Sequence, residues 1–213
     1  MKTSLRYIAF LKGALSILIA FTLLSQLHAQ VTDSSVPNQL VGHTMPPISG
    51  ATISGTTIDA SFFKDNVVVI VFGNLMNTTS LKQIEYLNRV QQDFQGHPFK
   101  ILEVMPNATQ DVKDFNDVSA DNKGIGHQLR MSLQVPVMEY PVMATCDKRN
   151  PDNTLHPACD NVVKDYEISQ YPMFCIVDRS GTIRYIHANL SPNDQQGWQA
   201  LIEEQIDLLL KGQ

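Results

Sequence analysis

Val67-Val68-Val69-Ile70-Val71-Phe72, then Gly73-Asn74-Leu75-Met76 and Asn77-Thr78-Thr79-Ser80, is the stretch whose reading decides the fold. Six β-branched or aromatic residues without a polar interruption suit a strand buried on both faces, inside a parallel or mixed sheet. The period then changes. Leu81, Ile84, Leu87, Val90 or Gln91, and Phe94 recur every three or four residues, which is helical spacing. Asn77, Thr79 and Ser80 suit the start of that helix, because a side-chain oxygen can accept a backbone N–H that the first turn leaves unpaired. Gly96-His97-Pro98 stops it, and Phe99 to Met105 reads as a second strand.

Working outward, Met173 to Val177 reads as a strand, Asp178-Arg179-Ser180-Gly181 as a hairpin turn and Thr182 to His187 as the returning strand. Pro192 and Asn193 open a final amphipathic helix with Trp198, Leu201, Ile202, Ile206 and Leu209 on one stripe. On the N-terminal side, Gly55-Thr56-Thr57 and Lys64-Asp65-Asn66 read as turns. The middle third is less regular. Asp111 to Asn116 begins a helix that Gly124-Ile125-Gly126 is expected to break. Val135 to Met143 contains Pro136 and Pro141, so a strand there is short or at an edge. After Cys146 the chain is polar and turn-rich through Asn153, with a short helix expected around Asn161 to Tyr166.

The first residues speak to compartment. Lys2, Arg6 and Lys12 precede an apolar run from Ala14 to Leu24, and Leu27-His28-Ala29 offers a small residue before a cut at Gln30. That order predicts a secretory signal peptide over residues 1–29, a flexible lead-in over 30–40 and one domain over 41–213. The apolar run is shorter than the roughly 20 residues a bilayer requires, so no stable membrane insertion is expected after cleavage. The chain holds 16 basic and 21 acidic residues; losing the three leader cations leaves 13 against 21. An acidic chain without a basic run is poorly suited to nucleic acid.

A buried strand, a capped helix, a second strand, a proline-led hairpin and a last helix resemble the thioredoxin-like superfamily. Val41-Gly42-His43-Thr44-Met45-Pro46 and Gly55-Thr56-Thr57-Ile58 are similar to the opening of its redoxin group. That group holds the AhpC/TSA antioxidant domains and the TlpA/ResA-type thiol oxidoreductases. Tyr171-Pro172-Met173-Phe174 resembles the group's proline loop. The resemblance implies an α/β fold: a central mixed sheet flanked by helices, with an insertion before a cis-proline loop. It also places the group's Cys-x-x-Cys on Asn77 and Ser80, and its usual tryptophan on Met76. Some thioredoxins carry a buried acid before the phenylalanine of the central strand, where this chain has Val71. A peroxiredoxin would need a cysteine that residues 1–145 lack.

Disulfide exchange needs a thiolate nucleophile and a resolving thiol. Asn77 and Ser80 supply neither, and no histidine lies near Ser80 in sequence to activate it. No catalytic residue is therefore expected at this turn. The resemblance implies instead a groove in which Met76, Thr78, Thr79, Tyr171 and Pro172 meet an extended peptide or protein partner. No cofactor is implied.

Cys146 and Cys159 flank a polar loop containing Pro151 and Pro157. A structural disulfide there closes about 14 residues, worth roughly 3 kcal/mol in the chain-entropy model. A displaced redox pair on the same cysteines and a metal site with His156 are the alternatives, the last lacking a fourth ligand. Cys175, between Phe174 and Ile176, reads as a buried apolar residue. Met131, Met138, Met143 and Met173 read as core filling rather than soft-metal ligands. Asn77, Asn107 and Asn189 begin glycosylation sequons, relevant only in a eukaryotic secretory host. The expected function is an exported, periplasmic or secreted, non-catalytic binding module. The alternative is a thiol-disulfide oxidoreductase or antioxidant protein using Cys146 and Cys159.

Overall fold

The computed structural model describes residues 38–146, 161–188, 190 and 192–212. All of them fall in the unit that runs from Ser34 to Gln213. The expected signal peptide, and the lead-in up to residue 37, lie outside the described residues. No helix among the described residues is long and apolar enough to cross a membrane.

The uninterrupted apolar run forms β3 (Val67–Phe72), and each of its residues is at most 1% exposed. It can be so because β3 is central in a five-stranded sheet of order β5-β4-β3-β6-β7. On one side lies β4 (Phe99–Ala108), parallel to it and in register from Val67↔Phe99 to Phe72↔Val104. On the other lies β6 (Met173–Val177), antiparallel, with Phe72 opposite Met173. The edges are β5 (Val142–Cys146), parallel to β4, and β7 (Ile183–His187), antiparallel to β6. A separate two-stranded ribbon pairs β1 (Gly50–Ala51) with β2 (Thr57–Ile58).

Seven helices accompany the strands among the described residues. They are α1 (Ala60–Phe63), α2 (Thr78–Leu81), α3 (Ile84–Asp93), α4 (Thr109–Asn116), α5 (Ile125–Leu133), α6 (Asn161–Asp165) and α7 (Gln195–Leu210). Because side chains alternate along a strand, β3 feeds two cores. Val67, Val69 and Val71 pack with Ile84, Leu87 and Val90 of α3 and Trp198, Ile202 and Ile206 of α7. Val68, Ile70 and Phe72 pack with Ile58, Phe62, Phe63 and Tyr166 on the opposite face. The mixed sheet with helices on both faces is thus the architecture that the sequence implies.

Four expectations need correction. The first helix is two pieces, α2 and α3, separated at Lys82–Gln83. The second strand runs past Met105 to Ala108, and its pairing with β5 shifts between Met105 and Ala108, where Pro106 has no N–H to offer. Gly124-Ile125-Gly126 does not end helical structure. Gly124 is the N-cap residue of α5, and buried Gly126 lets that helix approach α4 closely. Leu201 is 39% exposed and does not belong to the buried stripe of α7. Gln205 does belong to it, bonded to His187 at 2.7 Å.

Candidate functional site

The chain leaves β3 at Gly73 and reaches α2 through Asn74, Leu75 and Met76. Asn77 has extended backbone angles and caps α2, its Oδ1 accepting the Ser80 N–H at 2.9 Å. The same carboxamide turns its Nδ2 to the Tyr171 carbonyl oxygen at 3.2 Å. The bond between Tyr171 and Pro172 is cis. The structure therefore brings the Asn77 turn and the proline loop together, joined by one side chain.

The other expected site residues divide by exposure. Met76 is 57% exposed, Thr78 is exposed, and Thr79 and Tyr171 are half-buried. Pro172 is buried. Ser80 is 2% exposed and its Oγ has no hydrogen-bond partner, so it has no base to activate it. The N-terminus of α2 is also less open than the sequence suggests, since Asn77 already fills the Ser80 N–H. A cleft of about 530 Å³ lies elsewhere, lined by Glu85, Arg89 and Gln92 of α3 and by Val135 and Glu139.

Two residues missed in the sequence support the loop. Asn107, buried near the end of β4, accepts the Leu75 N–H at 3.0 Å and donates to Asn74 Oδ1 at 3.3 Å. Asn74 Oδ1 also accepts the Met76 N–H at 2.8 Å. Burial and these bonds exclude a glycan on Asn107; Asn189 lies outside the described residues. Glu103 is 1% exposed on β4, where Tyr140 donates to its Oε2 at 2.8 Å. Desolvation pushes its carboxyl up to about 8, against a smaller lowering by the Tyr140 bond. A lone acid within Ile101-Leu102-Glu103-Val104-Met105 was the signal that could have marked it.

Cys146 ends β5, is fully buried and is disulfide-bonded. Cys159 and His156 lie outside the described residues. Cys175 is a free, buried thiol whose pKa desolvation pushes up to about 12, so it presents no thiolate. No cluster of three or more His, Cys, Asp or Glu among the described residues could hold a metal ion.

The chain is similar to a protein assigned as the thiol:disulfide interchange protein DsbE from Chlorobium tepidum, at 18% identity and TM-score 0.54, over 80% of this chain and 97% of that one. It is similar to the thioredoxin domain of a thiol-disulfide oxidoreductase from Bacteroides vulgatus, at 17% and 0.51, over 78% and 97%. It is also similar to the exposed lipoprotein thioredoxin Etrx1 of Streptococcus pneumoniae, at 13% and 0.50, over 77% and 100%. At these identities the likeness shows the fold alone. No curated protein matches the chain in sequence. The AhpC/TSA family pattern matches residues 41–186, from the segment before β1 into β7, and the chain belongs to that family.

Proposed function

We propose that this chain is an exported thioredoxin-like module that performs no dithiol chemistry at Asn77–Ser80 and binds an extended peptide or protein partner there. The contact face comprises Met76, Thr78, Thr79 and Tyr171, with Pro172 behind them. The observation that carries the reading is Asn77 itself. Its carboxamide stands at the head of α2 and spans to the proline loop, where thiol chemistry would need a sulfur. The 57% exposed Met76 beside it offers an adaptable apolar contact for a partner. An incoming strand meets a Tyr171 carbonyl that already accepts from Asn77 Nδ2 at 3.2 Å. Export is supported by the basic start and apolar run of residues 1–29, and by the disulfide on Cys146. Cys159 is taken as its partner and the bond as structural, because Cys146 is fully buried and Cys175 is free.

Insulin reduction tests the first half of the reading. The wild-type protein should stay at background, whereas the Asn77→Cys/Ser80→Cys double variant should gain turnover from the retained scaffold. Wild-type turnover that Cys146→Ser abolishes would overturn the proposal in favour of an oxidoreductase using Cys146 and Cys159. Selection of a cysteine-free peptide library on the wild-type protein tests the second half. Selected peptides should lose about tenfold or more in affinity with Met76→Asp. Binders indifferent to that substitution would place recognition elsewhere.

A further inference from the structure

Glu103 is buried in an apolar wall directly beneath the turn. Its partners across the sheet are Val71 on β3 and Val142 on β5. Its same-face neighbours along β4 are Ile101 and Met105, and all four belong to the larger core. Oε2 has the Tyr140 hydroxyl, but Oε1 is buried without a hydrogen-bond partner. That oxygen lies against Gly73, where a Cβ would collide with it. The absent side chain of the first loop residue is therefore what gives the carboxyl its room. Among the described residues, Tyr140 is the one titratable group that acts on the carboxyl. No cation or second carboxylate from β3, β5 or the loop bears on it among the described residues.

A neutral carboxylic acid tolerates this place; a carboxylate does not, because one hydroxyl donor leaves its second oxygen dry. Oε1 abuts Gly73, so the loop is the element whose movement would uncover it. The loop above is closed by a short set of bonds: Gly73 N–H to the Val104 carbonyl at 3.1 Å, Leu75 N–H to Asn107, and Met76 N–H to Asn74. Lifting that loop exposes less apolar surface than unfolding the sheet, so it is the cheaper route to solvating a charge.

We propose that Glu103 is a proton-controlled release for the Gly73–Asn77 loop: while neutral it fits beneath the closed loop, and its ionisation opens it. The loop carries Met76 and Asn77, so the release sets the shape of the turn from below. It is independent of what the turn binds. Because burial pushes the carboxyl up to about 8, release occurs on the alkaline side of neutrality.

The test is an NMR titration of the isolated domain, without any partner, from about pH 6 to about pH 10. It follows the Glu103 carboxyl carbon and the amides of Gly73, Leu75 and Asn77. The carboxyl and the loop amides should share one midpoint near 8, and Leu75 amide protection should fall about tenfold or more across it. Glu103→Gln should abolish the loop transition. Tyr140→Phe, which removes the bond favouring the charged form, should move the midpoint upward. The proposal is overturned if the wild-type carboxyl titrates in the ordinary range, or if it titrates near 8 while the loop amides stay unchanged. The wild-type carboxyl signal decides even if a variant fails to fold. Partner binding plays no part in the readout, so failure here leaves the binding reading untouched.

Discussion

Asn77 serves two neighbours with one carboxamide, and its two functions separate chemically. The Oδ1 end caps α2 and the Nδ2 end ties the proline loop. Asn77→Ala removes both bonds. The expected loss is about 1–2 kcal/mol, as for other N-cap truncations. Asn77→Asp keeps an acceptor for Ser80, and its negative charge suits a helix N-terminus. It cannot donate to Tyr171, however, and sets a carboxylate against a carbonyl oxygen. Urea denaturation should rank wild type above Asp and Asp above Ala. An Asp variant as unstable as the Ala variant would mean that the bond to the proline loop, rather than the cap, dominates. The sequence marked Asn77 as a cap and as an occupant of a redox position. It did not show the bond to Tyr171, because that pairing spans 94 residues and exists only once β3 and β6 lie side by side.

Elements whose residues follow one strong period were readable; elements held by a single close approach were not. The β-branched run of β3 suited a strand covered on both faces, and the Asn77 turn follows at its end. The hairpin of β6 and β7 was equally legible from its apolar strands around Asp178–Gly181. By contrast, α5 buries one of its nine residues, Gly126, so its sequence carries no core stripe and its glycines read as breakers. Gly126 is better understood as the contact that brings α5 onto α4. A Cβ there would strike the Asp111 carbonyl oxygen and the Phe115 amide nitrogen, which are backbone atoms that cannot swing aside. Gly126→Ala should therefore destabilise the domain by about 1–3 kcal/mol, although alanine is the better helix former. Equilibrium unfolding that shows a stabilised variant would mean that α5 shifts freely on α4. Glu103 and Asn107 escaped the sequence reading for a related reason. An acid within an apolar strand, and an amide after a proline, reveal their partners only through tertiary register.

At the scale of the whole molecule, burial of two titratable groups on opposite sides of neutrality shapes stability against pH. Glu103 is raised from 4.5 to about 8, chiefly by desolvation. Between those values the folded protein holds a proton that the unfolded chain has lost, so stability falls as pH rises through the window. His187 is lowered from 6.5, again chiefly by desolvation and opposed by its bond to Gln205. As pH falls below 6.5, the unfolded chain gains a proton that the folded form refuses, and stability falls on the acid side. The two slopes oppose each other below pH 6.5, and from there to about 8 the Glu103 slope is no longer opposed by His187. Asp59 and Asp117, held low by hydrogen bonds from Ser61 and Ser119, act only below 3.8. Urea denaturation should accordingly show stability falling by about 1.4 kcal/mol per pH unit near pH 6.5, the slope easing toward pH 8, for about 1.5 kcal/mol in all. A second descent should begin near pH 9, where the unfolded chain ionises the thiol that Cys175 keeps protonated when folded. Glu103→Gln should flatten the first descent and leave the second in place. A wild-type profile that is level from 6.5 to 8 would mean that the folded protein solvates Glu103 at no cost, and with it would fall the argument that ionising this carboxyl opens the turn.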